Sequence, residues 1–247
     1  MSVKTVKPIN ESDKKTKLND VEIEEIFIPE LELDEPTLQL PSLSLLNQYK
    51  ERSNRVIWLV DEIKDQICEV SKLILQWNRE DTKKNIPVKD RQPIILILSS
   101  PGGDLYSMWG LVDIIEMSQT EVITVNLNYA FSAASIIFLS AKKRYCLPNS
   151  QILFHNGSAS MGGDYNSAQA MNDSWKKQVG RMQDYIISHT VIPKSTLTKK
   201  LKTDWFLTSD EQIKYGVATD ILRDINVIMN LTENNSSKDT LNKIEKD

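Results

Sequence analysis

A serine, a histidine and an aspartate held in line can take the proton from a hydroxyl and turn it into a nucleophile, and this sequence offers one of each: Ser132 and His155 where an apolar run meets a turn, and Asp204 just before an aromatic pair. Ser132 follows Val122 to Leu127, β-branched and apolar at alternate positions, and a short interruption from Asn128 to Phe131. It opens a small, apolar run suited to a buried helix. At a helix N-terminus the free N–H groups and the positive end of the dipole favour a developing oxyanion, and Ala133 and Ala134 leave room for a substrate. A serine there is equally a plain N-cap. Ser135, the rival within the stretch, lies one turn into the helix, where a hydroxyl bonds back to the backbone. His155 closes the apolar run Gln151-Ile-Leu-Phe, as a base or as a structural hydrogen-bonder; the other histidine, His189, is read as structural. Asp204 precedes Trp205-Phe206 and is either a surface charge or a carboxylate held in a groove.

The elements that must position these residues follow from periodicity. Ser42 to Arg52 has helical spacing, and Arg55 to Val60 reads as a strand. Ile63, Ile67, Val70, Ile74 and Trp77 share one helical face. Ile94 to Leu98 is a continuous apolar run, as in a parallel strand covered on both faces. After it comes Ser99-Ser-Pro-Gly-Gly-Asp104, a turn whose paired glycines let other backbone come close, then a helix from Leu105 to Ser118. This is also what a plain βα turn looks like. It is not a phosphate loop, because no Lys-Ser/Thr pair follows the glycines, and it is not a dinucleotide fingerprint.

Short strands are expected at Arg144 to Leu147 and Gln151 to His155, then a long helix with an apolar face of Ala168, Met171, Trp175, Val179, Met182 and Ile186, stopped by Pro193. A short helix from Ser195 to Leu201, a capping-box spacing at Ser209 and Gln212, a stop at Gly216, a strand from Val217 to Leu222 and an edge strand from Ile225 to Leu231 complete the reading. Strands alternating with helices predict an α/β domain with ligands bound where strand ends meet helix starts, which is where Gly102-Gly103, Ser132 and His155 fall. Spacing alone does not assemble the three side chains. It ranks a Ser-His-Asp hydrolase ahead of metal, phosphate or nucleotide chemistry.

The chain has 247 residues, 40% hydrophobic and 26% charged, enough for one sizeable core. Residues 1–40 form an acidic arm in which Glu and Asp alternate with Ile23, Ile26, Ile28, Leu31 and Leu33, either an edge strand or a disordered segment that orders on a partner. The domain spans 41–231, and 232–247 is a polar tail. A net charge of −4 with dispersed lysines argues against a nucleic-acid surface. Cys68 and Cys146, neither close to the other nor to a histidine, are expected to be reduced core residues, with no metal and no cofactor. No signal peptide and no membrane span is visible, so a cytoplasmic location is expected.

From about Ser44 to Leu222 the chain resembles the proteolytic subunit of the ATP-dependent Clp protease, within the wider crotonase-like fold. Ser99-Ser-Pro-Gly-Gly resembles that family's Asn-Ser-Pro-Gly-Gly turn, Ala130-Phe-Ser-Ala its nucleophile segment, Arg144-Tyr-Cys-Leu-Pro-Asn-Ser through His155 its run ending in the catalytic histidine, and Asp204-Trp-Phe-Leu through Gly216 its Asp-Arg-Phe-Leu-Ser segment ending in Glu-Tyr-Gly. Val179-Gly-Arg-Met with His189-Thr190 is similar to its long handle helix. The resemblance implies repeated β-β-α units with a protruding handle helix, while the acidic N-terminal arm, expected from its composition to be flexible, does not match the family there. It implies a serine endopeptidase with the triad Ser132, His155 and Asp204, and an oxyanion hole from the N–H groups of Gly103 and Ala133.

It further implies peptide or unfolded-protein substrates, homo-oligomeric heptameric rings that stack into a tetradecamer, and an AAA+ ATPase partner. The alternative is a scaffold or binding protein that keeps the fold without useful activity. This chain departs from the family at Phe131, Ala133 and Ala134, where Ala, Met and Gly are usual, and at Lys202-Thr203, where an acid and an arginine join opposite rings. Weaker, salt-sensitive ring pairing is the expected consequence.

Overall fold

In the computed structural model, the described residues are 42–160 and 162–232; the acidic arm and, apart from Thr232, the polar tail lie outside them. The elements run α1 (Leu43–Ser53), β1 (Val56–Val60), α2 (Ile67–Lys83), β2 (Ile94–Ser100), α3 (Leu105–Met117), β3 (Val122–Phe131), α4 (Ala133–Leu139), β4 (Lys143–Cys146) and β5 (Gln151–Phe154). They continue with α5 (Tyr165–His189), α6 (Lys194–Lys200), β6 (Trp205–Leu207), α7 (Ser209–Lys214), β7 (Asp220–Ile221) and α8 (Ile225–Thr232). This is a mixed α/β fold on a parallel sheet of order β1-β2-β3-β4-β7, with β5 also parallel to β3 and β6 antiparallel to β5.

The apolar run in β2 is a central strand, as its composition requires. Ile94, Leu96 and Leu98 face the larger core with α2, α3 and α4, while Ile95 and Ile97 face a smaller cluster with Ile123, Val125 and Tyr145. Truncating one such buried Ile or Leu to Ala costs about 2–5 kcal/mol. A buried ion pair braces the start of the sheet: Arg55 donates to both carboxylate oxygens of Asp81 on α2, at 2.8 and 2.5 Å, and to Gln92 O, while Thr120 donates to Asp81 at 2.8 Å.

Several boundaries differ from the sequence expectations. Ile63 is not in α2; its N–H donates to Gly102 O and its carbonyl accepts from Asp104, tying the β1–α2 loop to the glycine turn. The interruption expected at Asn128–Phe131 is absent, because β3 runs on after a bulge: Leu98 pairs with Asn126, but Ser100 pairs with Ala130. The first part of β3 pairs with β4 and its last three residues with β5, so one strand serves two neighbours.

The capping box is Thr208 with Glu211, one residue earlier than expected, which leaves Gln212 buried and donating to Ser150 O. The ladder at β7 is only Asp220–Ile221, since the N–H groups of Val217 and Ala218 are taken by Gln212 O at the end of α7. The edge strand expected at Ile225–Leu231 is instead α8, whose Val227, Ile228 and Leu231 cover the smaller cluster from one helical face. Cys146 is buried, but Cys68 is exposed, because its position in α2 faces away from the Ile67, Val70 and Ile74 stripe. Of the 25 residues of α5 only Met182 and Ile186 are buried, both in its second half. Among the described residues no helix is long and apolar enough to cross a membrane.

Candidate active site

Three strand ends converge. Ser132 follows the last residue of β3, and its N–H donates to Leu153 O of β5 at 3.0 Å. His155 follows the last residue of β5, and Asp204 precedes the first residue of β6. Because β5 and β6 are antiparallel with Phe154 opposite Trp205, the next step of the ladder sets His155 opposite Asp204.

Ser132 adopts φ 54° and ψ −124°, a left-handed conformation that costs a non-glycine residue about 1–3 kcal/mol and turns the chain sharply from strand into helix. Its side chain makes no capping bond. Its Oγ lies instead 2.6 Å from His155 Nε2. Ser135 behaves as its place in the helix requires, donating to Ser132 O at 2.6 Å. His155 Nδ1 is 3.5 Å from Asp204 Oδ1; the histidine side chain is 27% exposed and the aspartate 60%. His189 is remote from this group, stacked on Tyr185 and 3.4 Å from Glu116.

The glycine turn packs directly against the Ser132 turn. A Cβ on Gly102 would stand 2.6 Å from Phe131 O, 2.7 Å from Ser132 Cβ and 3.0 Å from Ala133 N. A Cβ on Gly103 would collide with the backbone of Ile63. The paired glycines are thus a steric requirement of two backbones meeting. Ala133 N–H heads α4, where an N-terminal N–H has no acceptor within the helix.

Gly103, Ser132 and His155 line a cleft of about 540 Å³ whose far wall is α5, through Met171, Trp175 and Met182. Trp175 leans on the chain just beyond the histidine, 3.1 Å from where a Cβ of Gly157 would be. Besides His155, the described lining residues include the acidic side chains of Glu62 and Asp104. Sequence reasoning placed Met171 and Trp175 on a helix face without linking them to the cleft, because the loop that lays α5 across the strand ends has no periodicity to read.

The fold and the cleft define a mixed α/β domain with its candidate site at the ends of a parallel sheet. Residues 46–224 match the family model described as Clp protease, and the chain belongs to that family. Relatives include the ATP-dependent Clp protease proteolytic subunit of Paracoccus denitrificans, 29% identical over 136 residues that cover 54% of this chain and 68% of that protein. The corresponding subunit of Deinococcus radiodurans is 27% identical over 133 residues, 53% of this chain and 65% of that protein. Proteolytic subunit 2 of Tropheryma whipplei is 26% identical over 165 residues, 66% of this chain and 87% of that protein.

Proposed function

We propose that this chain is a serine endopeptidase in which Ser132 is the nucleophile, His155 the general base and acid, and Asp204 the group that orients the imidazole. The observation that carries the reading is the 2.6 Å approach of Ser132 Oγ to His155 Nε2 from a left-handed turn. With Nδ1–H directed at Asp204, Nε2 is left to accept the hydroxyl proton. Ser132 Oγ then attacks the carbonyl carbon of a peptide bond, and the N–H groups of Gly103 and Ala133 stabilise the oxyanion. The imidazolium returns its proton to the leaving amine. Water, deprotonated by the same histidine, attacks the acyl-enzyme and releases the acid. The separation of His155 from Asp204 is long for a hydrogen bond, as apo catalytic contacts often are before substrate tightens them.

The relatives are named as proteolytic subunits of an ATP-dependent protease, which supports unfolded polypeptide as substrate and an AAA+ ATPase as partner. The half-covered apolar face of α5, with Met171 49% exposed, supports a protruding handle that packs against further copies in heptameric rings. With Lys202 in place of a ring-joining acid, pairing of rings weakens as salt rises, and sedimentation across a salt series measures it. A non-catalytic scaffold is the second reading, favoured by the exposure of Asp204.

A fluorophosphonate probe and a fluorogenic peptide separate the two. The native chain labels and hydrolyses; Ser132→Ala does neither, with activity lower by about 10⁴-fold or more. Ser135→Ala retains activity within a few-fold, since it forfeits one part-buried hydrogen bond worth about 1 kcal/mol. Absence of labelling in the native chain, or labelling that survives in Ser132→Ala, overturns the peptidase reading.

A further inference from the structure

Nothing on Asp204 itself explains how it stays opposite His155. Its carboxylate is 60% exposed, and among the described residues its one recorded side-chain partner is that histidine. Its backbone lies just outside the β5–β6 ladder, which ends at the Phe154–Trp205 pair. A carboxylate at a strand end with one partner 3.5 Å away needs a second anchor if it is to act in catalysis.

The neighbour of His155 supplies one. Asn156 Nδ2 donates to Leu201 O at 3.0 Å, and Asn156 Oδ1 accepts from Gln183 Nε2 at 2.9 Å. The orientation of the amide is forced, because Leu201 O only accepts and so must face the NH₂ group. Leu201 is the C-cap of α6, it is buried, and three residues further along is Asp204. The His155–Asp204 pair is therefore bracketed, by the Phe154–Trp205 ladder step on one side and by the Asn156–Leu201 bond on the other. Gln183 lies on α5, next to Met182 in the cleft wall.

We propose that Asn156 is a positioning residue that holds the segment carrying Asp204 in register with His155, and that Gln183 makes this register depend on the seating of α5. The inference rests on the peptidase reading above. It deepens that reading by making the wall of the substrate cleft and the orientation of the histidine parts of one hydrogen-bonded unit. Substrate that presses α5 into place thereby tightens the pair that activates Ser132.

The test uses the full chain and three variants. Asn156→Leu removes both bonds at similar volume, Asn156→Asp keeps the acceptor for Gln183 but loses the donor to Leu201 O, and Gln183→Leu keeps the Leu201 bond. Misplacement of a reacting group by about 1 Å costs on the order of 10²-fold. The two Asn156 variants should accordingly lose about 10- to 100-fold in kcat with KM within about twofold, and Gln183→Leu a smaller part of that loss. Fluorophosphonate labelling should slow in the same order. Amide hydrogen exchange over residues 202–205 should quicken in the Asn156 variants, a readout that needs no activity. Should Asn156→Leu fail to fold, Asn156→Asp and Gln183→Leu decide. Unchanged kcat in Asn156→Asp, a loss confined to KM, or unchanged exchange over 202–205 overturns the assignment. A native chain that neither labels nor hydrolyses overturns the peptidase reading instead, and the exchange result then still decides whether Asn156 anchors the segment.

Discussion

Gly102→Ala places a methyl group where two backbones meet, and its effect can be worked from the distances. The new Cβ would stand 2.6 Å from Phe131 O and 2.7 Å from Ser132 Cβ. Carbon approaches carbonyl oxygen to about 3.3 Å and carbon to about 3.5 Å, so the Ser132 turn must retreat by about 0.7–0.8 Å. Neither neighbour is the free end of a flexible side chain. The displacement is thus passed to Ser132 and to its 2.6 Å contact with His155. A loss of about 10- to 100-fold in kcat is expected from misplacement of that size.

The φ of +97° adds about 1–3 kcal/mol of backbone strain for alanine. In a domain of this size each kcal/mol lowers Tm by about 2–4 °C. The assay is hydrolysis of a fluorogenic peptide, normalised to folded protein by circular dichroism and to active sites by fluorophosphonate titration. Gly110→Ala is the control, since nothing lies within 4 Å of its new Cβ on α3. That change should stabilise by about 0.4–1 kcal/mol and leave kcat alone. Folded Gly102→Ala with kcat within twofold of the native chain would refute the steric account of the glycine turn.

Two further outcomes follow from buried groups. Burial pushes the Cys146 thiol up to about 11, whereas Cys68 is exposed, so iodoacetamide near neutral pH should alkylate one thiol per native chain and two after unfolding; equal rates at both would contradict the packing around β4. For Asp81, burial raises the carboxyl pKa, but hydrogen bonds from Arg55 and Thr120 and the charges of Arg55 and Arg91 outweigh it and hold the group below its ordinary value. The unfolded chain then binds the proton more readily, so this stability is present above about pH 4 and is lost as pH falls further. Asp81→Asn should cost about 3–5 kcal/mol in urea unfolding at pH 7, with the gap to the native chain narrowing toward pH 3; a gap independent of pH would rule out the linkage.

Much of the architecture was legible because burial leaves a period. The unbroken Ile94–Leu98 run required a strand covered on both faces, and the Ile67, Val70, Ile74, Trp77 stripe required a helix with one buried side. The small residues after Ser132 marked a fully buried short helix. Where two structures satisfy the same pattern, local sequence chose wrongly. Ile225–Leu231 suits a strand or a helix, and the choice fell to the apolar patch on the far face of the sheet, which a helix covers better than one more edge strand. Asn128–Phe131 reads as a break because the bulge and the change of partner from β4 to β5 carry no local signature.

Which groups were available was readable from short stretches, namely a serine at a strand-to-helix junction, two histidines, and a glycine pair after a buried strand, because residue type and local conformation are local properties. Which of them meet depends on long-range strand pairing. Ser132 and His155 are 23 residues apart and come to 2.6 Å through the parallel pairing of β3 with β5. Asp204 faces His155 through the antiparallel register of β5 with β6. Asn156 had no sequence signal at all, since its two partners lie 27 and 45 residues away and a single amide has no period. Strand register is set by packing summed over the whole sheet, and a stretch around any one of these residues does not contain that sum.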